Sequence, residues 1–190
     1  METNDQFIES NAKKFEEIFS QLKVCLFDCD GILTDCKIYW IGEEAGWVRS
    51  FNVQDGYGLK LLMKMGIKVG VISGGDSAGL KQRIKGLGLD YSFLGNEDKV
   101  GAYKEVLKLS GANDSEILYM GDDYFDLPIL KTVGFSATVK HAPKKVREAC
   151  HLVSSREAGQ GCVREIVEMI AKAKNFEENF PAIGKEEGEA

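Results

Sequence analysis

Val24-Cys25-Leu26-Phe27-Asp28-Cys29-Asp30-Gly31 is the stretch on which the reading of the fold turns. Four consecutive apolar residues without polar alternation describe a strand buried on both faces. The Asp-x-Asp-Gly that follows describes a chain leaving the sheet through a tight polar turn. The same pattern recurs downstream. Val69 to Ile72 ends on Ser73-Gly74-Gly75, Ile117 to Met120 ends on Gly121-Asp122-Asp123 with Asp126 one helical turn on, and Phe135 to Val139 is a further apolar run. Helix-patterned segments separate the runs, at 57–65, 77–87, 100–109 and 124–131. Strands alternating with helices imply crossover units, hence an open, doubly wound, Rossmann-like α/β sheet of parallel strands. A ligand is then expected beyond the carboxyl ends of the strands.

That topology brings the polar ends of the runs to one edge: Asp28 and Asp30, Ser73, Asp122 with Asp123 and Asp126, and Asp98-Lys99 at a helix start shortly after Leu94-Gly95-Asn96. Taken singly, each has an ordinary explanation as a turn, a helix cap or a solvated lysine. Four such sets, each placed after a buried strand or opening a helix, describe a site. Carboxylates gathered at one edge repel one another, and a hard divalent cation is the usual compensation.

Composition bounds the rest. The 190 residues suit a single domain over 1–174, with a leading helix and a polar tail at 175–190. With 44% hydrophobic and 28% charged residues the chain is globular rather than disordered. The net charge is −6 and the basic residues are scattered, which argues against a nucleic-acid partner. An anionic ligand would need a local remedy, such as a metal ion, lysines or helix-start amides. No apolar run approaches the roughly 18 residues of a membrane span, and Met1-Glu2-Thr3-Asn4-Asp5 lacks the basic and apolar regions of a secretion signal. A cytoplasmic protein with no membrane partner is expected. The five cysteines are odd in number and form no Cys-x-x-Cys pair, so they read as reduced thiols, with only Cys29 close to the chemistry.

One segment breaks the strand–helix rhythm. Residues 34–52 carry β-formers around Gly42-Glu43-Glu44-Ala45-Gly46 and read as a β-hairpin holding both tryptophans, Trp40 and Trp47. They either pack onto the domain or form a subunit interface, since a projecting hairpin cannot bury two tryptophans by itself.

The motifs together resemble the haloacid dehalogenase-like superfamily, whose four motifs match Asp28-Cys29-Asp30-Gly31, Ser73, Lys99, and Gly121-Asp122-Asp123 with Asp126. Longer stretches, among them Phe51-Asn52-Val53-Gln54-Asp55-Gly56-Tyr57-Gly58, Arg83 to Gly88, Met120 to Pro128 and Gly159 to Glu165, are similar to the family of 3-deoxy-D-manno-octulosonate 8-phosphate phosphatases, from about Val24 to Lys174. The resemblance implies that Asp28 is the nucleophile and Asp30 the general acid and base, with Ser73 and Lys99 holding the phosphoryl group. It implies that Mg²⁺ is held by Asp28, the backbone carbonyl of Asp30, and Asp122, with Asp123 and Asp126 in support. Asn52, Val53, Gln54, Asp55, Gly56, Lys60 and Arg83 would contact a small phosphorylated sugar acid. The hairpins would assemble a homotetramer whose neighbours cover each site, because no inter-motif space holds a cap domain. The chain departs from the family at Gly75, where an arginine is typical, which brings a nonulosonate 9-phosphate into competition as substrate. A phosphosugar mutase, a phospho-receiver-like module and an idle oligomerisation domain are the other readings. A mutase needs a cap, a receiver lacks the second Asp after the first strand, and a scaffold does not require every catalytic position to be filled.

Overall fold

The computed structural model describes residues 3–44, 46–95 and 98–176. Helices α1 (Asn4–Lys14) and α2 (Glu16–Gln21) lead into β1 (Val24–Phe27), followed by the hairpin strands β2 (Tyr39–Trp40) and β3 (Trp47–Val48). Then come α3 (Val53–Lys64), β4 (Lys68–Ser73), α4 (Ala78–Leu87), β5 (Tyr91–Leu94), α5 (Lys99–Ser110), β6 (Ile117–Met120), α6 (Leu127–Leu130), β7 (Phe135–Thr138), α7 (Lys144–Ala149), β8 (Leu152–Val153) and α8 (Cys162–Ala173). Six strands form one sheet in the order β5-β4-β1-β6-β7-β8, and every pairing is parallel. The continuous apolar runs are the strands buried at every position, β1, β6 and β7.

The chain steps outward from β1 to β4 and β5, then returns across the sheet to β6 and continues to β7 and β8. Because parallel crossovers are right-handed, α3 and α4 cover one face and α5, α6 and α7 the other. The observed packing agrees: α3 meets α4 and α8, while α6 meets α5 and α7. The direction of winding therefore reverses between β1 and β6, and the crevice beyond their carboxyl ends is the ligand position of such a sheet.

Several boundaries differ from the sequence expectations. The leading helix is two helices joined at Phe15, and this break lets Phe15 and Phe19 both set their rings on Phe135, with centroids 5.0 and 4.7 Å away. Helix α3 starts at Val53 rather than Tyr57 because the Asn52 side chain accepts from the Gln54 and Asp55 amides and caps it. The segment expected as a helix at 124–131 opens with a 3₁₀ turn, Tyr124–Asp126, before α6, whose first turn carries Pro128. Strand β8 and helices α7 and α8 add to the elements read from the sequence. The tail expected at 175–190 lies, beyond Phe176, outside the described residues, as do Met1, Glu2, Ala45, Asn96 and Glu97.

The hairpin forms, but with two-residue strands. Trp40 and Trp47 pair across it edge to face at 5.4 Å, yet remain 53% and 51% exposed. Ile38, Tyr39 and Ile41 are exposed beside them, so the domain does not bury the apolar side chains of the hairpin tip. Among the described residues, only this hairpin and α3 lie between β1 and β4, and only α4 between β4 and β5. No described helix is long and apolar enough to cross a membrane.

Candidate active site

Asp28 is the first residue after β1, and its amide donates to the Met120 carbonyl at 2.8 Å, which ties the turn to the end of β6. Its carboxylate is 3% exposed. The Lys99 ammonium, on the first residue of α5 and also buried, lies 2.8 Å from Asp28 Oδ1 and 2.7 Å from Asp126 Oδ1. Asp126 is fixed on every side. Its Oδ1 also accepts from the Tyr119 hydroxyl at 2.6 Å, and its Oδ2 accepts from the amides of Asp122 and Asp123 at 3.0 Å. Asp126 thus shapes the loop after β6 and holds the lysine that faces Asp28.

Burial pushes the Asp28 carboxyl up to about 8, against the pull of Lys99 and with the help of Asp126 and Asp122. Burial works to lower the Lys99 ammonium, but the two carboxylates prevail and hold it above its ordinary value. Burial likewise raises Asp122, opposed by its hydrogen bond with His141. Three buried carboxylates therefore gather where one lysine pairs with two of them, Asp28 and Asp126. Asp28, Asp122 and Asp126 each bring an oxygen within 4.8 Å of the others, and Asp122 Oδ1 is buried without a partner. A concentration of negative charge with an unpartnered carboxylate oxygen fits a hard divalent cation. Gly31, at φ 97, makes this approach possible, because a Cβ there would collide with the Asp122 carboxylate.

A cavity of about 130 Å³ opens over these groups, lined by Asp28, Asp30, Ser73, Gly75, Lys99 and Phe125. The structure brings the four residues singled out in the sequence, Asp28, Asp30, Ser73 and Lys99, together around one space. Ser73 is buried and its hydroxyl accepts from the Gly75 amide at 3.1 Å.

Arg49 completes the outer wall and was not identified from the sequence. It leaves the hairpin just after β3 and forms a two-pronged ion pair with Asp30, Nε to Oδ1 at 2.6 Å and Nη2 to Oδ2 at 2.8 Å, while Nη1 donates to Ser77 at 2.8 Å. A Cβ on Gly75 would stand 2.7 Å from Arg49 Nη2. The guanidinium therefore occupies the flank of Gly75, the position where the resembled family carries its arginine. Nothing in the spacing pointed to it, since Arg49 belongs to the hairpin and meets residues 19 and 28 positions away.

The expected sugar-acid contacts divide. Val53, Gln54 and Lys60 are exposed on α3. Arg83 lies over Gly56 and donates to the Asn52 carbonyl at 3.2 Å. Asn52 caps α3 and donates to the Gly159 carbonyl at 3.2 Å. Asp55 departs from its expected role: it is buried, and its carboxylate accepts from the Gly161 and Arg164 amides at 3.0 and 2.8 Å, capping α8. Both of its oxygens are thus engaged by backbone amides of this chain. The segment from Gly159 to Arg164 braces the turn after β1, with the Gly159 amide donating to the Ile32 carbonyl at 3.0 Å.

Comparison with known proteins matches this geometry. A family model for haloacid dehalogenase-like hydrolases matches residues 93–166. The 3-deoxy-D-manno-octulosonate 8-phosphate phosphatase of Haemophilus influenzae is 36% identical over 159 residues, covering 84% of this chain and 88% of that protein. The corresponding Moraxella catarrhalis structure, a complex with magnesium ion, phosphate ion and KDO, superposes with a TM-score of 0.81 at 33% identity, covering 86% of this chain and 93% of that one. A cobalt-bound Haemophilus influenzae structure aligns with a TM-score of 0.79 at 37% identity, over 83% of this chain and 92% of that one. With relatives this similar along nearly their whole length, the chain belongs to the haloacid dehalogenase-like hydrolases, as a phosphomonoesterase of the group that includes these sugar-acid phosphatases.

Proposed function

We propose that this phosphatase hydrolyses the 8-phosphate of 3-deoxy-D-manno-octulosonate through an aspartyl-phosphate on Asp28. The observation that carries the reading is the cavity in which Asp28, fixed by Lys99, shares one space with Asp30 and Ser73. Lys99 holds Asp28 Oδ1, leaving Oδ2 to attack phosphorus in line with the ester oxygen. That oxygen departs with the P–O bond electrons and takes a proton from Asp30, a step that requires Asp30 protonated and released from its two-pronged pair with Arg49. Asp30, now a carboxylate, draws a proton from a water molecule, whose oxygen attacks the same phosphorus. The bond to Asp28 breaks, phosphate is released and both carboxyls regain their starting states. Ser73 and Lys99 bind the phosphoryl oxygens, the lysine placing fixed charge where the transition state carries it. Asp28, Asp122 and the Asp30 carbonyl would hold magnesium, which would supply charge neutralisation at this acidic edge.

The sugar acid is named by the relatives, and Arg49 makes the assignment compatible with Gly75, because it brings a guanidinium to the same flank from the hairpin. A nonulosonate 9-phosphate remains the second reading, favoured by that relocation, since a guanidinium clamped on Asp30 reaches differently from one carried by residue 75. The exposed aromatic hairpin supports a homotetramer in which neighbours close the open cleft. The test is phosphate release over a panel of phosphorylated sugar acids with Mg²⁺, using wild type and Asp28→Asn. Turnover is expected on the eight-carbon acid, with none in the variant. Equal turnover in Asp28→Asn would overturn the mechanism, and preference for a nine-carbon acid would overturn the substrate.

A further inference from the structure

Beside the carboxylate–lysine cluster, on the solvent side of Asp122, three other donors converge: Cys36 Sγ, His141 Nε2 and Asp122 Oδ2. Sγ lies 3.5 Å from Nε2 and 3.8 Å from Oδ2, and Nε2 lies 3.1 Å from Oδ2. A tetrahedral zinc ion with bonds of about 2.3 Å to sulfur and about 2.0 Å to nitrogen or oxygen has edges between its ligands of roughly 3.3 to 3.6 Å. The three measured separations bracket those edges, so the atoms already outline one face of a tetrahedron, with shifts of a few tenths of an ångström completing it. Cys36 and His141 are both exposed, which leaves the fourth corner open to water.

The chemistry of the set also discriminates. Thiolate and imidazole suit zinc and its neighbours, whereas magnesium takes oxygen ligands and keeps its waters. Asp122 belongs to both groups: its Oδ2 faces Cys36 and His141, its Oδ1 is buried without a partner, and its carboxylate also gathers with Asp28 and Asp126. Cys36 and His141 are 105 residues apart, so no sequence spacing announces the pair.

We propose that Cys36, His141 and Asp122 form a second metal site for a thiophilic divalent cation of the zinc class, and that its occupation suppresses turnover. The inhibitory half rests on the functional reading above, because Asp122 is shared: a cation on Oδ2 withdraws charge from, and fixes the orientation of, the carboxylate that magnesium would need. On binding, the Cys36 thiol releases its proton to solvent, His141 coordinates as neutral imidazole, and water fills the last position.

Cobalt(II) is the probe. Titrated into the full-length protein in excess Mg²⁺, Co²⁺ is expected to raise a thiolate-to-cobalt charge-transfer band that saturates near one equivalent and disappears on adding Zn²⁺. The band should be absent in Cys36→Ser and weakened in His141→Ala, while Cys36→Ser keeps its magnesium-dependent turnover. Zn²⁺ should inhibit wild type at concentrations at least about 10- to 100-fold below those needed for Cys36→Ser, the scale of a lost metal interaction. No band in wild type, or a band that survives Cys36→Ser, overturns the site. A Cys36-dependent band with turnover indifferent to Zn²⁺ overturns the inhibition alone. The spectroscopic reading does not depend on catalysis, so an inactive protein that still shows the band would refute the proposed function and leave the metal site standing.

Discussion

The inner and outer ends of the cleft are built on opposite terms. At the inner end, Asp28, Lys99, Asp126 and Tyr119 are buried, and the lysine and Asp126 have their contacts supplied by this chain alone. At the outer end, Trp40, Trp47, Ile38, Tyr39 and Ile41 stand half in solvent on a hairpin of two-residue strands. Arg49 links the two, rooted in the hairpin and clamped on Asp30. On the proposed function, phosphoryl chemistry is self-contained in the subunit, and a neighbouring subunit finishes the wall that selects a substrate. Residues of the first kind should fail for any substrate, and residues of the second kind only for substrates large enough to need a wall.

The largest expected effect tests the inner end. Asp30→Asn should reduce turnover by roughly 10² to 10⁴-fold, the range of a lost general acid–base group. The loss should be similar for the sugar phosphate and for p-nitrophenyl phosphate in the first step only if leaving-group protonation is unimportant; steady-state rates with both esters decide this. Since the nitrophenolate leaves without a proton, a smaller loss on that ester is the predicted outcome, and an equal loss would move the main burden of Asp30 to the water-activating step.

Next comes the outer end. Replacing Trp40 and Trp47 together by Ser should dissociate the proposed tetramer and lower kcat/KM on the sugar phosphate by roughly 10²-fold, the scale of lost positioning, while sparing p-nitrophenyl phosphate. Mass in solution and the two rates are measured side by side. A dissociated variant with undiminished selectivity would erase the distinction between the two ends.

The smallest effect concerns pH. Burial raises Asp28 from 3.8 to about 8, so between those values the folded protein keeps a proton that the unfolded chain has lost. Stability contributed by that proton is present at the low end and falls as pH rises toward 8. Metal-free protein should therefore lose a few degrees of melting temperature across this window. Asp28→Asn should flatten the slope, and Mg²⁺ should reduce it by stabilising the carboxylate. A slope unchanged in the variant would assign it to another group.

The strands and the inner site were legible because both are written locally. Val24 to Phe27, Ile117 to Met120 and the acidic turns after them need only a short window to be read, and parallel topology does the rest. What escaped was long-range. Asp55 looked like a ligand contact beside Gly56, but its partners Gly161 and Arg164 lie 106 and 109 positions on. Arg49 and the Cys36–His141 pair escaped for the same reason. The joint at Phe15 escaped because helical periodicity continues through it.

The contact of Gly159 with the turn after β1 bears on how the protein comes into being during synthesis. The Gly159 amide and the Cys162 thiol both reach the Ile32 carbonyl, at 3.0 and 3.3 Å, and a Cβ on Gly159 would collide with the backbone of Thr34 and Asp35. The loop carrying the first two aspartates is thus pinned by residues made some 130 positions later. A ribosome that has finished β1, β4 and β6 holds the strands of the centre of the sheet, but α8 has not yet emerged to cover α1 and α3, and the catalytic turn has no brace. Truncated or stalled chains should therefore be inactive as well as unstable, and activity in a nascent pool should report translation past α8.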